Sequence, residues 1–299
     1  MGYEKLDAIV ASYREELLEK LKHWISIPSV QAPMCADNAP FGPEVRRMLD
    51  LFLADARAMG FDVRDFDGYC AHAEMGEGTK TMGILAHLDV VPLGDGWVHN
   101  PTGGEIEDGR VYGRGVSDDK GPMLGALFAM RAVKEAGIPL KHRVRAIAGC
   151  DEETGMSDMR YYREHSDLPD YGFSPDAEYP LINIEKGGLG LLISAYAAEK
   201  DGEFPVVSMH AGERCNVVPG TATAVVSTKG LGFKELKARA KAVAEARGFA
   251  LKCEKMKDKK ALITATGKPS HASMPELGVN AAGMLLIALK EMNAGGPLH

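Results

Sequence analysis

The sequence predicts an α/β fold. An α/β domain over 1–187, with a sheet flanked by helices, is followed over 188–299 by a separate α+β unit with an antiparallel sheet. Three observations predict it. Short apolar runs of strand length alternate with longer stretches of helical spacing through the first unit, the pattern of a layered α/β domain. Near Gly187-Gly188 the character changes to paired strands separated by single helices. A length of 299 residues, with 45% apolar and 26% charged side chains, leaves room for about two ordinary globular domains.

Leu6, Ile9, Val10, Tyr13, Leu17, Leu21 and Trp24 recur at helical spacing over 4–26, and Val45, Met48, Leu49, Phe52, Leu53 and Ala56 do so over 43–59. Met82 to Ala86 is apolar but too short for a helix, so it predicts a buried strand leading into His87. Asp108-Gly109 between the alternating residues of 105–112 predicts a hairpin. A helix over 121–136 is closed by Gly137 and Pro139. A strand over 142–149, a polar helix over 157–165 and a short strand over 181–184 follow. In the second unit the pattern predicts strands at 189–198, 205–211 and 221–228 and a helix at 232–247. Strands at 249–256 and 260–267, joined by a charged turn, and a helix at 276–293 complete it.

Composition excludes several function classes. The net charge is -7, no long basic run occurs, and the stretch from Lys252 to Lys260 is mixed in sign, so no nucleic-acid partner is expected. Cys35, Cys70, Cys150, Cys215 and Cys253 are far apart and form no CxxC, which argues against a disulfide framework and a thiolate zinc site. Such cysteines suit a reducing compartment, and a cytoplasmic protein is the expectation. No apolar run reaches the ~20 residues that span a bilayer, and the N-terminus carries no signal-peptide pattern, so no membrane partner is expected.

The chemistry concentrates in acidic clusters of the first unit. His87 and Asp89 share one face of an extended chain, so His87 can offer a ring nitrogen to a metal while Asp89 fixes its tautomer. The plain alternative is a satisfied histidine at a strand end. Asp118-Asp119 reads either as a solvated pair at a helix start or as a bridge in which Asp118 neutralises two cations. Asp151-Glu152-Glu153 reads either as a solvated loop or as part of a ligand site at the carboxyl end of a strand. Asp176 in SPDAEYP is a further acid. Taken together, His87, Asp118, Glu153 and Asp176 are hard O/N donors without a thiolate, which suits a two-metal hydrolytic site better than a structural zinc.

HLDVVPLGDGW, GRGVSDDKG, DEETG and SPDAEYP, in this order, resemble the successive metal-site motifs of the carboxypeptidase G/aminoacylase/ArgE–DapE superfamily of two-zinc peptidases. The wording around them most resembles the PepV-like dipeptidases. The resemblance implies that His87 and Asp176 hold one zinc, that Asp118 bridges two, that Glu153 ligates the second, and that Asp89 supports His87. It further implies that Glu152 is the general base and that the Asp118–Asp119 peptide bond is cis. In ATGKPSHASMPELGVNAA it implies a lid histidine, His271, that stabilises the oxyanion; Asn216 in RCNVVPG matches an asparagine near the substrate. The implied cofactor is zinc, two per site, with manganese or cobalt as alternatives, and the implied substrate is a dipeptide or short peptide.

Members of this family run on past the point where this sequence stops, through an arginine that meets the substrate to a final histidine on the second zinc. His299 has the setting of mid-lid and is not assigned to metal. The resemblance therefore carries the expectation of a fragment with a weak second zinc, little activity of its own, and self-association through an incomplete lid. Its rivals are an N-acyl-amino-acid deacylase or desuccinylase of the same superfamily and a non-catalytic binding remnant. A nucleotide-binding reading of Gly187-Gly188-Leu189-Gly190 lacks the GxGxxG spacing.

Overall fold

A computed structural model describes residues 4–94, 96–178, 181–184, 186–192, 202–212 and 214–295. The chain divides into two compact units, Met1–Asn183 and Ile184–His299.

In the first unit α1 (Glu4–Ser12), α2 (Arg14–Ile25) and α3 (Pro43–Ala58) precede β1 (Asp62–Phe66), β2 (Cys70–Met75) and β3 (Thr81–His87). The hairpin β4 (Glu105–Glu107) and β5 (Arg110–Tyr112), then α4 (Lys120–Glu135), β6 (Arg143–Gly149), α5 (Ser157–His165) and β7 (Tyr171–Phe173), complete it. The main sheet has the order β1-β2-β6-β3-β7. β1, β2 and β6 pair antiparallel, whereas β3 lies parallel to both β6 and β7. The principal core joins Trp24, Met48, Leu49 and Phe52 of α2 and α3 with Leu124 and Leu127 of α4 and the inner side chains of the sheet. A smaller cluster of Phe66, Cys70, Ile147 and Tyr162 seats α5.

The second unit contains β8 (Phe204–Ala211), β9 (Val217–Val218), β10 (Thr221–Ser227), α6 (Phe233–Arg247), β11 (Ala250–Lys255) and β12 (Lys260–Thr266). β13 (Ser270–His271), a 3-10 turn at Pro275–Leu277, α7 (Ala281–Glu291) and β14 (Ala294–Gly295) follow. Its sheet has the order β11-β12-β10-β8-β14, and β9 pairs with β13 in a separate two-stranded ribbon. Alternate residues of β10 and β12, Ala222, Ala224, Val226, Ala261, Ile263 and Ala265, form one core with Leu236 of α6 and Leu285 of α7.

Several elements depart from the pattern. The expected helix over 4–26 is two helices, broken at Tyr13, whose ring is buried and whose hydroxyl donates to the Glu135 carboxylate at 2.6 Å. Neither β1 nor β2 was expected from the sequence: β1 is a charged edge strand, and β2 alternates Ala71, Ala73 and Met75 with His72 and Glu74, with little exposure on either face. Residues 181–184 and 189–192 form no strand, and Leu181, Ile184 and Leu192 are exposed; residues 193–198 of the second expected strand lie outside the described residues. The last helix starts only at Ala281, where the Asn280 side chain caps it by accepting the Gly283 N–H at 3.1 Å.

Candidate metal centre

Because β6, β3 and β7 run parallel, their carboxyl ends open on one edge. His87 is the last residue of β3, Asp151-Glu152-Glu153 follows β6, and Asp176 follows β7. Asp118 and Asp119 stand directly before α4, and the peptide bond between them is cis.

His87 is the centre of the cluster. Its buried ring points Nε2 at Asp118 Oδ1 (2.9 Å), Asp176 Oδ2 (3.5 Å) and Glu152 Oε2 (3.9 Å). Nδ1 lies 2.9 Å from the Asp89 carbonyl oxygen and 3.4 Å from its carboxylate. A carbonyl can only accept, so Nδ1 carries the proton and Nε2 is the donor atom available to a cation when the ring is neutral. Ligand atoms of His87, Asp118 and Asp176 lie within 4.8 Å of one another, and so do those of His87, Glu152 and Glu153. One imidazole and four carboxylates converge without a thiolate, a donor set that fits divalent cations preferring oxygen and nitrogen.

The support beneath this set is a second layer of carboxylates. Buried Asp89 accepts the N–H groups of Glu152 (3.3 Å) and Glu153 (3.1 Å), tying the acidic loop to the end of β3. Asp119 accepts the His87 N–H at 3.0 Å. Asp158 accepts the N–H groups of Cys150 (2.6 Å), Asp151 (3.0 Å) and Met159 (2.6 Å). This approach requires Gly149, since a Cβ there would lie 2.7 Å from Asp158 Oδ2. Asp151 turns away from the cluster and accepts from Gln31, Thr154 and Ser157. Lys120 is wholly buried and donates to the carbonyls of Trp24 (3.2 Å) and Ile27 (2.6 Å), joining the end of α2 to the start of α4.

Crowded, partly desolvated carboxylates resist ionisation. Burial, reinforced by Asp118, pushes Glu153 up to about 7. Burial, reinforced by Asp176, pushes Asp119 up to about 8. Glu152 is raised by burial, with His87 opposing. Burial disfavours the His87 cation, but hydrogen bonds to Asp118, Asp176 and Asp89 outweigh it and raise the ring. Burial lowers Lys120 to about 7. Arg114 is the nearby cation that the sequence reading did not single out. Burial lowers its pKa, while Glu153 and Asp118 oppose that shift; its Nη2 donates to the Leu93 carbonyl at 3.4 Å, and it lies 5.3 Å from the Trp97 ring centroid. Its only sequence signal is its place in GRG, four residues before Asp118.

The two candidates of the second unit are neighbours. His271 on β13 is opposite Val217 of β9, and the Asn216 carbonyl accepts the Ala272 N–H at 2.8 Å. His271 Nδ1 lies 2.7 Å from Ser273 Oγ and accepts the Ser273 N–H at 3.2 Å.

The family description "Peptidase family M20/M25/M40" matches residues 83–275. The Beta-Ala-Xaa dipeptidase of Lactobacillus delbrueckii subsp. lactis is 35% identical over 285 residues, 95% of this chain and 60% of that protein. YtjP of Bacillus subtilis (strain 168), named provisionally as a dipeptidase, is 36% identical over 279 residues, 91% of this chain and 59% of that protein. The chain thus spans about three fifths of the length of these relatives. Among solved structures, human carnosine dipeptidase 1 is 24% identical with a TM-score of 0.48, covering 58% of this chain and 41% of that one.

Proposed function

The chain belongs to peptidase family M20/M25/M40, and on that premise we propose that it serves the metal-dependent hydrolysis of the peptide bond of dipeptides. The observation that carries the reading is the convergence of His87, Asp118, Glu152, Glu153 and Asp176 at one sheet edge. The dipeptidase named among its relatives supports the substrate class.

His87, Asp118 and Asp176 would hold one divalent cation, and Glu153 with Asp118 a second, zinc being the expected ion. Such ions supply Lewis acidity and bring the pKa of water toward neutrality. Glu152 then takes the proton of the attacking water and returns it to the leaving amine. Asp89 holds the Glu152 backbone and the His87 ring, so the base and a metal ligand share one anchor. His271 donates a hydrogen bond to the carbonyl oxygen as it gains charge. Asn216, adjoining the same ribbon, contacts the substrate.

Metal content per chain, measured with hydrolysis of free dipeptides and of N-acyl amino acids in the same preparation with and without added zinc, tests the reading. Zinc uptake with the second ion held weakly, and slow turnover of dipeptides rather than of N-acyl amino acids, is the expected result. Turnover confined to N-acyl amino acids would replace the dipeptidase by a deacylase, and failure to bind metal would overturn both.

A further inference from the structure

In the second unit, the local backbone selects which nitrogen of His271 accepts. An amide N–H can only donate, so the Ser273 N–H at 3.2 Å makes Nδ1 of a neutral ring its unprotonated nitrogen. With Nδ1 an acceptor, the Ser273 hydroxyl at 2.7 Å is a second donor to it. The proton of the neutral ring then sits on Nε2, which has no hydrogen-bond partner among the described residues.

The loop that makes these contacts is itself held. His271 and Ser270 are registered against Val217 and Val218. Ala272 N–H donates to the Asn216 carbonyl (2.8 Å), and Met274 N–H to the His271 carbonyl (3.0 Å). Lys186 Nζ donates to the Ser273 carbonyl at 2.6 Å. Ser273 is therefore fixed on its carbonyl side while its N–H and hydroxyl hold the imidazole. An exposed histidine without such contacts would divide its proton between two nitrogens and its ring among several rotamers.

We propose that Ser273 is a positioning residue that locks His271 in the Nε2–H tautomer and presents that N–H as an outward hydrogen-bond donor. The inference rests on the reading of His271 as the donor to the substrate carbonyl oxygen. It deepens that reading by naming what selects the donor atom. A preset neutral donor stabilises developing negative charge without a proton having to be gained or a ring turned during the reaction.

Long-range 15N–1H NMR of the zinc-loaded full chain, with His271 assigned by comparison with His271→Gln, reads the tautomer directly. Nδ1 is expected as an unprotonated ring nitrogen and Nε2 as a protonated one at neutral pH. Ser273→Pro, which removes both the backbone N–H and the hydroxyl, is expected to yield a mixture of tautomers, and Ser273→Thr, which keeps both, to retain the single form. In parallel, a phosphinic dipeptide mimic, whose tetrahedral oxygen stands in for the oxyanion, should bind Ser273→Ala about fivefold more weakly, the worth of roughly one hydrogen bond. The unmodified dipeptide should bind it equally well. A proton on Nδ1 in the unmutated chain, or a tautomer unchanged by Ser273→Pro, would overturn the positioning role alone. Equal binding of the mimic by His271→Gln would overturn the donor role, and the inference with it.

Discussion

The acidic edge of the first unit has a buried floor and an open rim, built from the same residue types and doing opposite things. On the floor Asp89, Asp119, Asp151 and Asp158 are buried, and each accepts one or more backbone N–H groups. On the rim Asp118, Glu152, Glu153 and Asp176 are at least partly exposed and converge on the His87 ring. The two layers alternate within single motifs: Asp119 is floor and Asp118 rim, Asp151 is floor and Glu152 and Glu153 rim. A floor carboxylate is stabilised by donors that cannot leave, so it behaves as part of the backbone scaffold. A rim carboxylate is crowded by other acids around the His87 ring, so a cation there would relieve their mutual repulsion.

Substitutions should separate the layers by which property they damage. The largest effect is expected on the rim: Glu152→Gln should lower dipeptide turnover by ~10²–10⁴-fold, the worth of a general base. Its unfolding free energy should stay within ~0.5 kcal/mol of the unmutated chain, as for an exposed polar substitution. A denaturant titration showing that this variant is strongly destabilised would merge the rim with the floor.

Asp158→Ala should reverse the pattern. It leaves the N–H groups of Cys150, Asp151 and Met159 without their acceptor, which should cost ~3 kcal/mol or more at neutral pH. A variant as stable as the parent would show that the floor is dispensable. Glu153→Gln should weaken binding of the second metal ion by about tenfold or more, while leaving the first, held by His87, Asp118 and Asp176, near its original affinity. Calorimetric titration with zinc resolves the two steps.

The smallest effect is on stability against pH in the metal-free chain. Glu153 at about 7 and Asp119 at about 8 lie above their ordinary values near ~4. The folded chain thus keeps protons that the unfolded chain has released. The resulting stability is present below ~4 and is lost as pH rises through 7 to 8. The metal-free melting temperature should fall by a few degrees between pH 5 and pH 8. Added zinc, which prefers the deprotonated rim, should raise it most at the alkaline end. A melting temperature that climbs with pH without metal would contradict the crowding of carboxylates across rim and floor.

Much of the fold was legible because its elements obey simple periods. α3 and α4 show their apolar stripes, β3 and β6 their short apolar runs, and α5 follows its polar pattern over 157–165 as expected. β1 was not, because a charged edge strand such as DVRDF looks like a loop until its partner is known. The expected strand at 181–184 failed for the converse reason: an apolar run makes a strand only where another strand accepts its hydrogen bonds. The rim residues were legible through their motifs. Arg114 and Ser273 were missed because an arginine near acids and a serine near a histidine are too common to carry a signal without distances.

By itself the sequence determined that hard donors follow strand ends and that a histidine stands among them, because residue type and spacing set which atoms can bind a cation. Only the tertiary structure decided which acid of each adjacent pair faces in and which faces out. That choice depends on where the backbone N–H groups of a neighbouring loop point. Asp89 shows it: the sequence places it two residues after His87, but only the folded chain brings the amides of Glu152 and Glu153, more than sixty positions away, within its reach.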